Sequence, residues 1–322
     1  MVEIRNVKAY YKIGADIFVR AVDGVSISFD EGKITGIAGE SGCGKSTLLK
    51  VCTGWIKPPL TVLEGKVVYN FNDEEVDILN LDEERLQRYR WRLFAIVPQA
   101  AMNSLNPVRR IKKIFEETLN QSGKKKLSEK ERKMVEKVIT DVGLPKEVLN
   151  MYPPQLSGGM KQRVIIALAI IARPKVIFCD EPTTGLDLVT QKGILLLLRE
   201  LKDRYGITII LISHDMGVHA QVTDNLAIMY AGKLIEYAST HDIFKDPLHP
   251  YTKSLINSLP MIGDKMQKER LPGAPPPLFR PPKGCRFHPR CKYATEICEK
   301  KEPPLKEIKA GHYVACHRIG EE

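Results

Sequence analysis

A glycine-rich segment constrains the fold of this chain more than any other part of its sequence. Residues 39–46 read GESGCGKS and match the pattern G-x-x-x-x-G-K-[S/T]. The apolar run Ile34–Ala38 before them is typical of a buried strand, and Thr47–Cys52 after them is typical of a helix. Because the backbone N–H groups of such a loop and the start of such a helix surround phosphate oxygens, the sequence predicts a nucleotide-binding turn in an α/β fold with a parallel sheet.

The loop also predicts which groups contact the nucleotide. We expect Lys45 to reach the β- and γ-phosphates and the hydroxyl of Ser46 to ligate Mg²⁺. The loop residues expected to bind the nucleotide are Gly39, Ser41, Gly42, Cys43, Gly44, Lys45, Ser46 and Thr47.

Polar residues follow two further apolar runs. Asp180 and Glu181 come directly after a run that begins at Lys175, and His214 follows a strand expected at Thr208–Ile212. Asp180 is placed to hold Mg²⁺, directly or through water, and Glu181 to act as the general base for an attacking water. His214 is expected at the same edge of the sheet, where ligands bind in parallel α/β folds.

Two more segments lie between the strand expected at Ile34–Ala38 and the apolar run that begins at Lys175. Leu93–Val97 is typical of a short strand, and Gln99 follows it after one proline. The sequence LSGGMKQR at 156–163 predicts the start of an amphipathic helix that runs to about Ala172. Ser157 can cap this helix, and the two glycines leave its first turn bare, which predicts a second anion-binding point.

Length and charge limit the class of protein. The 322 residues suggest about two domains, and the net charge is +10. Residues 85–137 carry 15 basic and 5 acidic residues, which favours a solvated helical face over a nucleic-acid or membrane surface. The longest purely apolar run, Val164–Ala172, is nine residues, whereas a membrane-spanning helix needs ~20. With no apolar leader at its start, the chain is expected in the cytosol, where disulfides are rare.

The C-terminal segment predicts a metal centre. Cys285, Cys291, Cys298 and Cys316 fall within the last 38 residues, after a proline-rich stretch. A module too small to bury its own core, beginning near residue 265, would gain stability from a metal bound by these thiols. The spacing C-x5-C-x6-C-x17-C lacks the C-x2-C pairs usual for zinc, so zinc, iron–sulfur and unligated thiols remain open. Three histidines could substitute as ligands: His288, His312 and His317.

The ordered set of motifs resembles the nucleotide-binding subunit of ABC transporters. The motifs are GESGCGKST, Gln99, LSGGMKQR, VIFCDE, GLD at 185–187 and His214. The resemblance implies an ABC-type nucleotide-binding domain at 1–264, with a RecA-like core, a β subdomain and an inserted helical subdomain at about 100–165. It also implies ATP and Mg²⁺ as ligands.

The same resemblance implies roles for individual residues. Gln99 would ligate Mg²⁺ and sense the membrane subunit, and His214 would contact the γ-phosphate. Ser157 and Gly159 would belong to the signature that covers ATP held by another subunit, and Asp187 would lie in the loop between subunits. Tyr11 would stack on adenine, with Tyr10 as the alternative.

Segments outside these motifs narrow the resemblance to the dipeptide and oligopeptide importer ATPases. They are QAAMNSLNP at 99–107, HPYT at 249–252 and RPPKGCRFHPRC at 280–291. This likeness implies an ATP-hydrolysing subunit that drives peptide uptake from the cytoplasmic face of the membrane, as a peripheral protein. It implies a second ABC ATPase subunit, which is the same or a sister chain, two permeases and an external peptide-binding protein, with no nucleic acid. It favours a [4Fe–4S] cluster over Zn²⁺ in an extension at 265–322.

Alternatives differ in class and in cargo. A soluble ABC-type ATPase acting on nucleic acid or the ribosome is disfavoured, because the chain has neither a second cassette nor a long heptad insertion. A non-hydrolysing regulatory cassette is disfavoured because every catalytic position is filled. Nickel or another small solute remains an alternative cargo.

Overall fold

The structure is a computed structural model that describes residues 1–71, 74–90, 92–99, 104–119, 127–259, 271 and 273–319. The chain divides into one unit formed by Met1–Leu81 with Leu211–Glu322, and a second formed by Asp82–Ile210. The strands are β1 (Val2–Lys12), β2 (Phe18–Phe29), β3 (Ile34–Ala38), β4 (Leu60–Phe71), β5 (Glu74–Asp77), β6 (Phe94–Val97), β7 (Val176–Asp180), β8 (Thr208–Ile212), β9 (Asn225–Tyr230), β10 (Lys233–Ser239), β11 (Lys306–Lys309) and β12 (His312–Val314). The helices are α1 (Lys45–Cys52), α2 (Glu83–Tyr89), α3 (Ile111–Leu119), α4 (Glu129–Asp141), α5 (Gly158–Ile170), α6 (Leu188–Tyr205), α7 (Met216–Val222), α8 (Thr240–Lys245), α9 (Pro250–Asn257) and α10 (Glu296–Lys300).

An antiparallel sheet with the strand order β2-β1-β4-β5 lies in the first unit. Residues of β1 alternate between buried and less buried positions, so that Val2 and Ile4 are in the core. The register of β1 against β4 shifts near residue 6. Gly65 is required at this point because a Cβ atom there would lie 2.5 Å from the Cα of Val7.

The strand that leads into the glycine-rich loop is fully buried. All five residues of β3 are buried, and β3 pairs in parallel with β9. β10 lies antiparallel to β9, and the C-terminal strands β12 and β11 continue the order. At the end of β8, the amide of Ser213 donates to the carbonyl of Ile37. The C-terminal segment therefore belongs to the same sheet as the strand that carries the loop.

The second unit contains a pair of parallel strands and most of the long helices. β6 pairs in parallel with β7, and the amide of Thr208 in β8 donates to the carbonyl of Lys175. Helix α5 contacts β6, α3, α4 and α6. It was expected to be amphipathic and to run to about Ala172. It ends at Ile170. From Val164 onward every residue of the helix is apolar, since the helix packs against several elements.

Many basic side chains of residues 85–137 have nearby carboxylates. Exposed ion pairs join Arg88 to Glu84 and Lys133 to Glu129, each four residues apart on one helix. α4 begins with a capping box between Ser128 and Glu131. These local pairs agree with a solvated helical surface. Residues 91, 100–103 and 120–126 of this segment lie outside the described residues.

The strands expected around the motifs are confirmed to within one residue. β3 and β8 have the expected bounds, and β6 and β7 begin one residue later than expected. α1 begins at Lys45, two residues before the predicted helix, because Gly44 takes a left-handed conformation and serves as its N-cap.

Among the described residues, no helix is long and apolar enough to cross a membrane. A domain boundary near 265 stays a prediction, since residues 260–270 are not described.

We expect Gly36→Ala in β3 to destabilise the fold by about 1–3 kcal/mol. The added Cβ would lie 2.4 Å from Nδ1 of the buried His219 and 2.8 Å from Leu226. Gly193→Ala is the matched control: its Cβ would meet only Arg163, at 3.4 Å, and alanine in α6 should be neutral or stabilising. Thermal unfolding of both variants tests this. The loss of unfolding free energy caused by Gly36→Ala should be smaller when His219 is also changed to alanine. An equal loss in both backgrounds would show that the new methyl group does not clash with His219.

Candidate nucleotide-binding site

The glycine-rich loop joins β3 to α1 in the first unit. Gly39 and Gly44 have φ angles of 148° and 110°, which are unfavourable for residues with a side chain. A Cβ at Gly39 would lie 2.2 Å from the carbonyl oxygen of Met229, and one at Gly44 would lie 1.9 Å from that of Ala21. The loop is therefore pressed against two neighbouring strands, and glycine at these positions is a steric requirement.

Lys45 lies inside the curve of this loop. Its side chain is buried, and its Nζ donates to the carbonyl oxygens of Gly39 at 2.7 Å and Glu40 at 3.0 Å. The ammonium group is therefore held inside the loop by carbonyl groups of the loop itself. Burial raises the pKa of the Cys43 thiol, so this cysteine is a packed side chain and not a reactive thiolate.

The two candidate aromatic residues have different surroundings. The hydroxyl of Tyr11 is 3.1 Å from Oγ1 of Thr47, and Nζ of Lys50 is 5.9 Å from the Tyr11 ring centre. Tyr10 instead donates a 2.7 Å hydrogen bond to Asp23. The structure therefore brings Tyr11, and not Tyr10, to the helix that follows the loop.

His214 follows β8 in the first unit and is exposed. The carbonyl of the preceding Ser213 accepts a 3.1 Å hydrogen bond from Nε2 of His219, which is fully buried. Burial lowers the pKa of His219 to about 4, so its imidazole is neutral at physiological pH. Sequence analysis missed His219, because one histidine in a helix has no pattern that distinguishes a supporting residue.

Asp180 ends β7 in the second unit, Glu181 follows it, and both are half-buried. Glu181 has a φ of 49°, a left-handed conformation that is uncommon for non-glycine residues and often marks functional sites. The hydroxyl of Thr184 donates to Oε2 of Glu181 at 2.8 Å. Burial raises the pKa of the preceding Cys179 to about 12, which keeps this thiol neutral beside the two carboxylates.

The signature segment and Asp187 are linked within the second unit. Ser157 is exposed and caps α5 by accepting from the amide of Met160, as predicted. Asp187 caps α6 and accepts from both the amide and the hydroxyl of Thr190, and these bonds lower the pKa of its carboxyl. Gly159 approaches the same Thr190, since a Cβ there would lie 2.6 Å from its methyl group.

The predicted site residues fall into both units. The glycine-rich loop, Tyr11 and His214 belong to the first unit. The members in the second unit are Gln99, Ser157, Gly159, Asp180, Glu181 and Asp187. Gln99 is exposed and follows β6 after Pro98, and the four residues after it are not described.

The four C-terminal cysteines line one small cavity. The amide of Cys285 donates to the carbonyl of Cys298 at 2.7 Å. Burial, with smaller contributions from the other three thiols, raises the pKa of Cys285 to about 11. Within the described ranges, however, no three or more His, Cys, Asp or Glu side chains are arranged to hold a metal ion. The predicted metal centre is therefore not supported by this geometry.

The histidines considered as substitute ligands have other partners. Nδ1 of His288 is 2.9 Å from the carbonyl of Cys285, and Nε2 of His317 is 2.8 Å from the carbonyl of Lys301. His312 is buried against Glu236, with 2.8 Å between Nε2 and Oε1.

Two family profiles match the chain. A profile described as ABC transporter matches residues 22–184, and one described as oligopeptide/dipeptide transporter, C-terminal region, matches residues 235–298. The second match covers β10 from its third residue, the proline-rich stretch and three of the four cysteines.

Curated relatives match over nearly the full chain. The dipeptide transport ATP-binding protein DppD of Caldanaerobacter subterraneus is 44% identical, over 98% of this chain and 96% of the relative. The oligopeptide transport ATP-binding protein AppF of Bacillus subtilis is 37% identical, over 98% of this chain and 97% of the relative. A solved dimer of the ATP-binding cassette MJ0796 with ADP and Pi is 28% identical, with a TM-score of 0.64, over 74% of this chain and 99% of that one.

The contact between Gly159 and Thr190 predicts a rescue. We expect Gly159→Ala to destabilise the protein by about 1–3 kcal/mol, because the new methyl group would displace Thr190 from Asp187. Thr190→Ser removes the clashing methyl group and keeps the hydroxyl, so the double variant should recover most of this loss. Chemical denaturation of the three variants measures it. Equal instability of Gly159→Ala and the double variant would show that Thr190 is not the obstacle.

Proposed function

The chain belongs to the ABC transporter family of ATPases, and we propose that it is the ATP-hydrolysing subunit of an importer for di- or oligopeptides. The observation that carries this proposal is the likeness along the whole chain. The cassette and the C-terminal region characteristic of peptide transporters both match, and the relatives named above are dipeptide and oligopeptide transport proteins.

We propose that the first unit holds the phosphates of ATP. Lys45 supports this role, because its buried ammonium group already lies inside the loop. Hydroxyl, amide and carboxylate oxygens are hard ligands that suit Mg²⁺, and Ser46, Gln99 and Asp180 would supply them. When bound, Mg²⁺ neutralises charge on the phosphate oxygens. Tyr11 beside Thr47 would stack on the adenine ring.

Glu181 is proposed as the general base. Its carboxylate is held by the hydroxyl of Thr184, and its left-handed backbone conformation supports a functional role. An ionised carboxylate near the γ-phosphate can accept a proton from the attacking water. His214 would contact the γ-phosphate.

We propose that two ATPase subunits complete each site. The chain has one phosphate loop and one signature, and Ser157 is exposed at the start of α5. Bare N–H groups at that helix start suit a phosphate presented by another subunit. Asp187 and the exposed Leu188 and Val189 after it would lie in the same interface. The partner is a second copy or a sister ATPase.

The remaining partners would be two permeases and, indirectly, an external peptide-binding protein. We propose that the chain acts as a peripheral protein at the cytoplasmic face of the membrane. Gln99 and the helices after it would couple ATP hydrolysis to the permeases. The local ion pairs of residues 85–137 favour this role over nucleic-acid binding.

Glu181→Gln should leave ATP binding intact and lower hydrolysis at least about 100-fold, because the amide cannot accept a proton. The exposed Glu200→Gln in α6 is the matched control. Nucleotide titration, phosphate release and dipeptide uptake by cells that carry the complete transporter measure the effects. Near-normal hydrolysis by Glu181→Gln would refute the assignment of the base. If the ATPase activity is normal but the cells take up another solute and no peptide, the peptide cargo is refuted and the ATPase assignment stands.

We also propose that the four cysteines hold a [4Fe–4S] cluster. They line one cavity, and each of Cys285, Cys291 and Cys316 interacts electrostatically with other thiols of the set. A zinc ion with Zn–S bonds of about 2.3 Å needs sulfurs about 3.8 Å apart. The C-x5-C-x6-C-x17-C spacing lacks the C-x2-C pairs usual for structural zinc, which favours the cluster over a single zinc ion.

Protein prepared without oxygen should be brown and contain about four iron and four sulfide per chain. Cys291→Ser should remove the colour, and Cys52→Ala, which changes a buried thiol of α1 outside the set, should keep it. Absorption spectra and metal analysis measure this. A colourless wild-type protein with one zinc per chain would refute the cluster and keep the four-cysteine site. Protein that contains neither iron nor zinc would refute the cluster and the four-cysteine metal site together.

A further inference from the structure

The second residue of the phosphate loop carries a negative charge that must be neutralised when phosphates bind. Glu40 is paired with Arg290 of the C-terminal segment, 250 residues away. Nη1 of Arg290 donates to Oε2 at 2.8 Å and Nη2 donates to Oε1 at 3.0 Å. The pair is bidentate, which is the strongest geometry for a guanidinium and a carboxylate. The arginine side chain is 6% exposed, so solvent screens this pair weakly.

An aromatic cluster fixes the position of Arg290. Its guanidinium lies 5.8 Å from the ring centre of Tyr230 and donates to the hydroxyl of that residue. Tyr230 packs against Tyr251 and Phe287, with ring centres 4.7 Å and 5.3 Å apart. Because these rings are buried, Arg290 has little freedom to leave Glu40.

The same cluster also holds the backbone of the loop. The amide of Glu40 donates to the hydroxyl of the buried Tyr251 at 2.9 Å. Both the side chain and the backbone of this loop residue therefore depend on elements that follow residue 229.

A second arginine of the segment contacts the turn that supports Cys43 of the loop. Arg286 is 7% exposed and donates to the carbonyl of Ala231 and the carboxylate of Asp23. Gly232, which follows Ala231, donates its amide to the carbonyl of Cys43 at 2.8 Å. Arg290 thus supports the loop directly at Glu40, and Arg286 supports it indirectly at Cys43, through Ala231 and Gly232.

We infer that Arg290 is a positioning residue for ATP: it neutralises the carboxylate of Glu40 in the phosphate loop and holds that carboxylate in place. Without the guanidinium, the unpaired carboxylate of Glu40 repels the incoming phosphates, while the amide of Glu40 stays held by Tyr251. ATP affinity then depends on the folded state of the Cys285–Cys291 segment, and by linkage ATP stabilises that segment. The inference rests on the assignment of residues 39–46 as the ATP-binding loop.

The test compares Arg290→Gln, Glu40→Gln and the double variant in the full chain. We expect Arg290→Gln to raise Kd and KM for Mg·ATP on the order of tenfold, with kcat changed much less. Glu40→Gln should bind ATP close to wild type, and the double variant should regain most of the lost affinity, because no unpaired carboxylate remains. The matched control is Arg318→Gln, which changes an exposed arginine near the C-terminus that stacks on Tyr293. Thermal unfolding with and without ATP checks that each variant is folded.

Lys45→Ala separates the possible failures. If Lys45→Ala binds ATP normally, the loop assignment is wrong. If Lys45→Ala weakens binding but folded Arg290→Gln binds ATP within twofold of wild type, the inference is wrong and the loop assignment stands. If the double variant binds ATP as weakly as Arg290→Gln does, the unpaired carboxylate of Glu40 is not the cause of the lost affinity, and the inference is wrong. As a second measurement, ATP should slow amide hydrogen exchange at 285–291 in the wild type, and unchanged exchange there would contradict the linkage.

Discussion

The close approach of the phosphate loop to its neighbouring strands is the constraint on which the site depends. At Gly39 and Gly44 the loop backbone lies so near the carbonyls of Met229 and Ala21 that no side chain fits. The loop cannot relax away from these strands, because the amide of Gly232 also holds the carbonyl of Cys43. The curve into which Lys45 reaches is therefore set by the packing of the sheet as well as by the loop sequence.

Buried charges tie the C-terminal segment to the same unit. Glu236 is fully buried and accepts from the amides of Leu248 and His249, with His312 of β12 beside it. Asp23 is paired with Arg286. Removing one partner of such a pair leaves an uncompensated buried charge, which costs about 3–5 kcal/mol. The segment is thus an integral part of this unit, and its four cysteines lie near residues that support the phosphate loop.

In the second unit, the functional positions are linked to one another by packing. Thr190 is held by Asp187 and touches Gly159, so the signature helix and the start of α6 cannot move independently at this point. Glu181 combines a left-handed backbone with a hydrogen bond from Thr184. A strained backbone persists only where surrounding contacts enforce it, and here it sets the direction of the proposed base.

The sequence alone determined the elements whose cause is local. The apolar runs of β3, β7 and β8, the glycines of the loop and the cap at Ser157 depend on residues a few positions apart, and each was found within one residue. Only the tertiary structure decided which of Tyr10 and Tyr11 lies beside Thr47, since adjacent residues of one strand point in opposite directions and the loop position sets the choice. It also decided that Arg290 pairs with Glu40 and that His219 supports Ser213. These contacts join parts of the chain that only the folded sheet brings together, so no local pattern of charge or hydrophobicity encodes them.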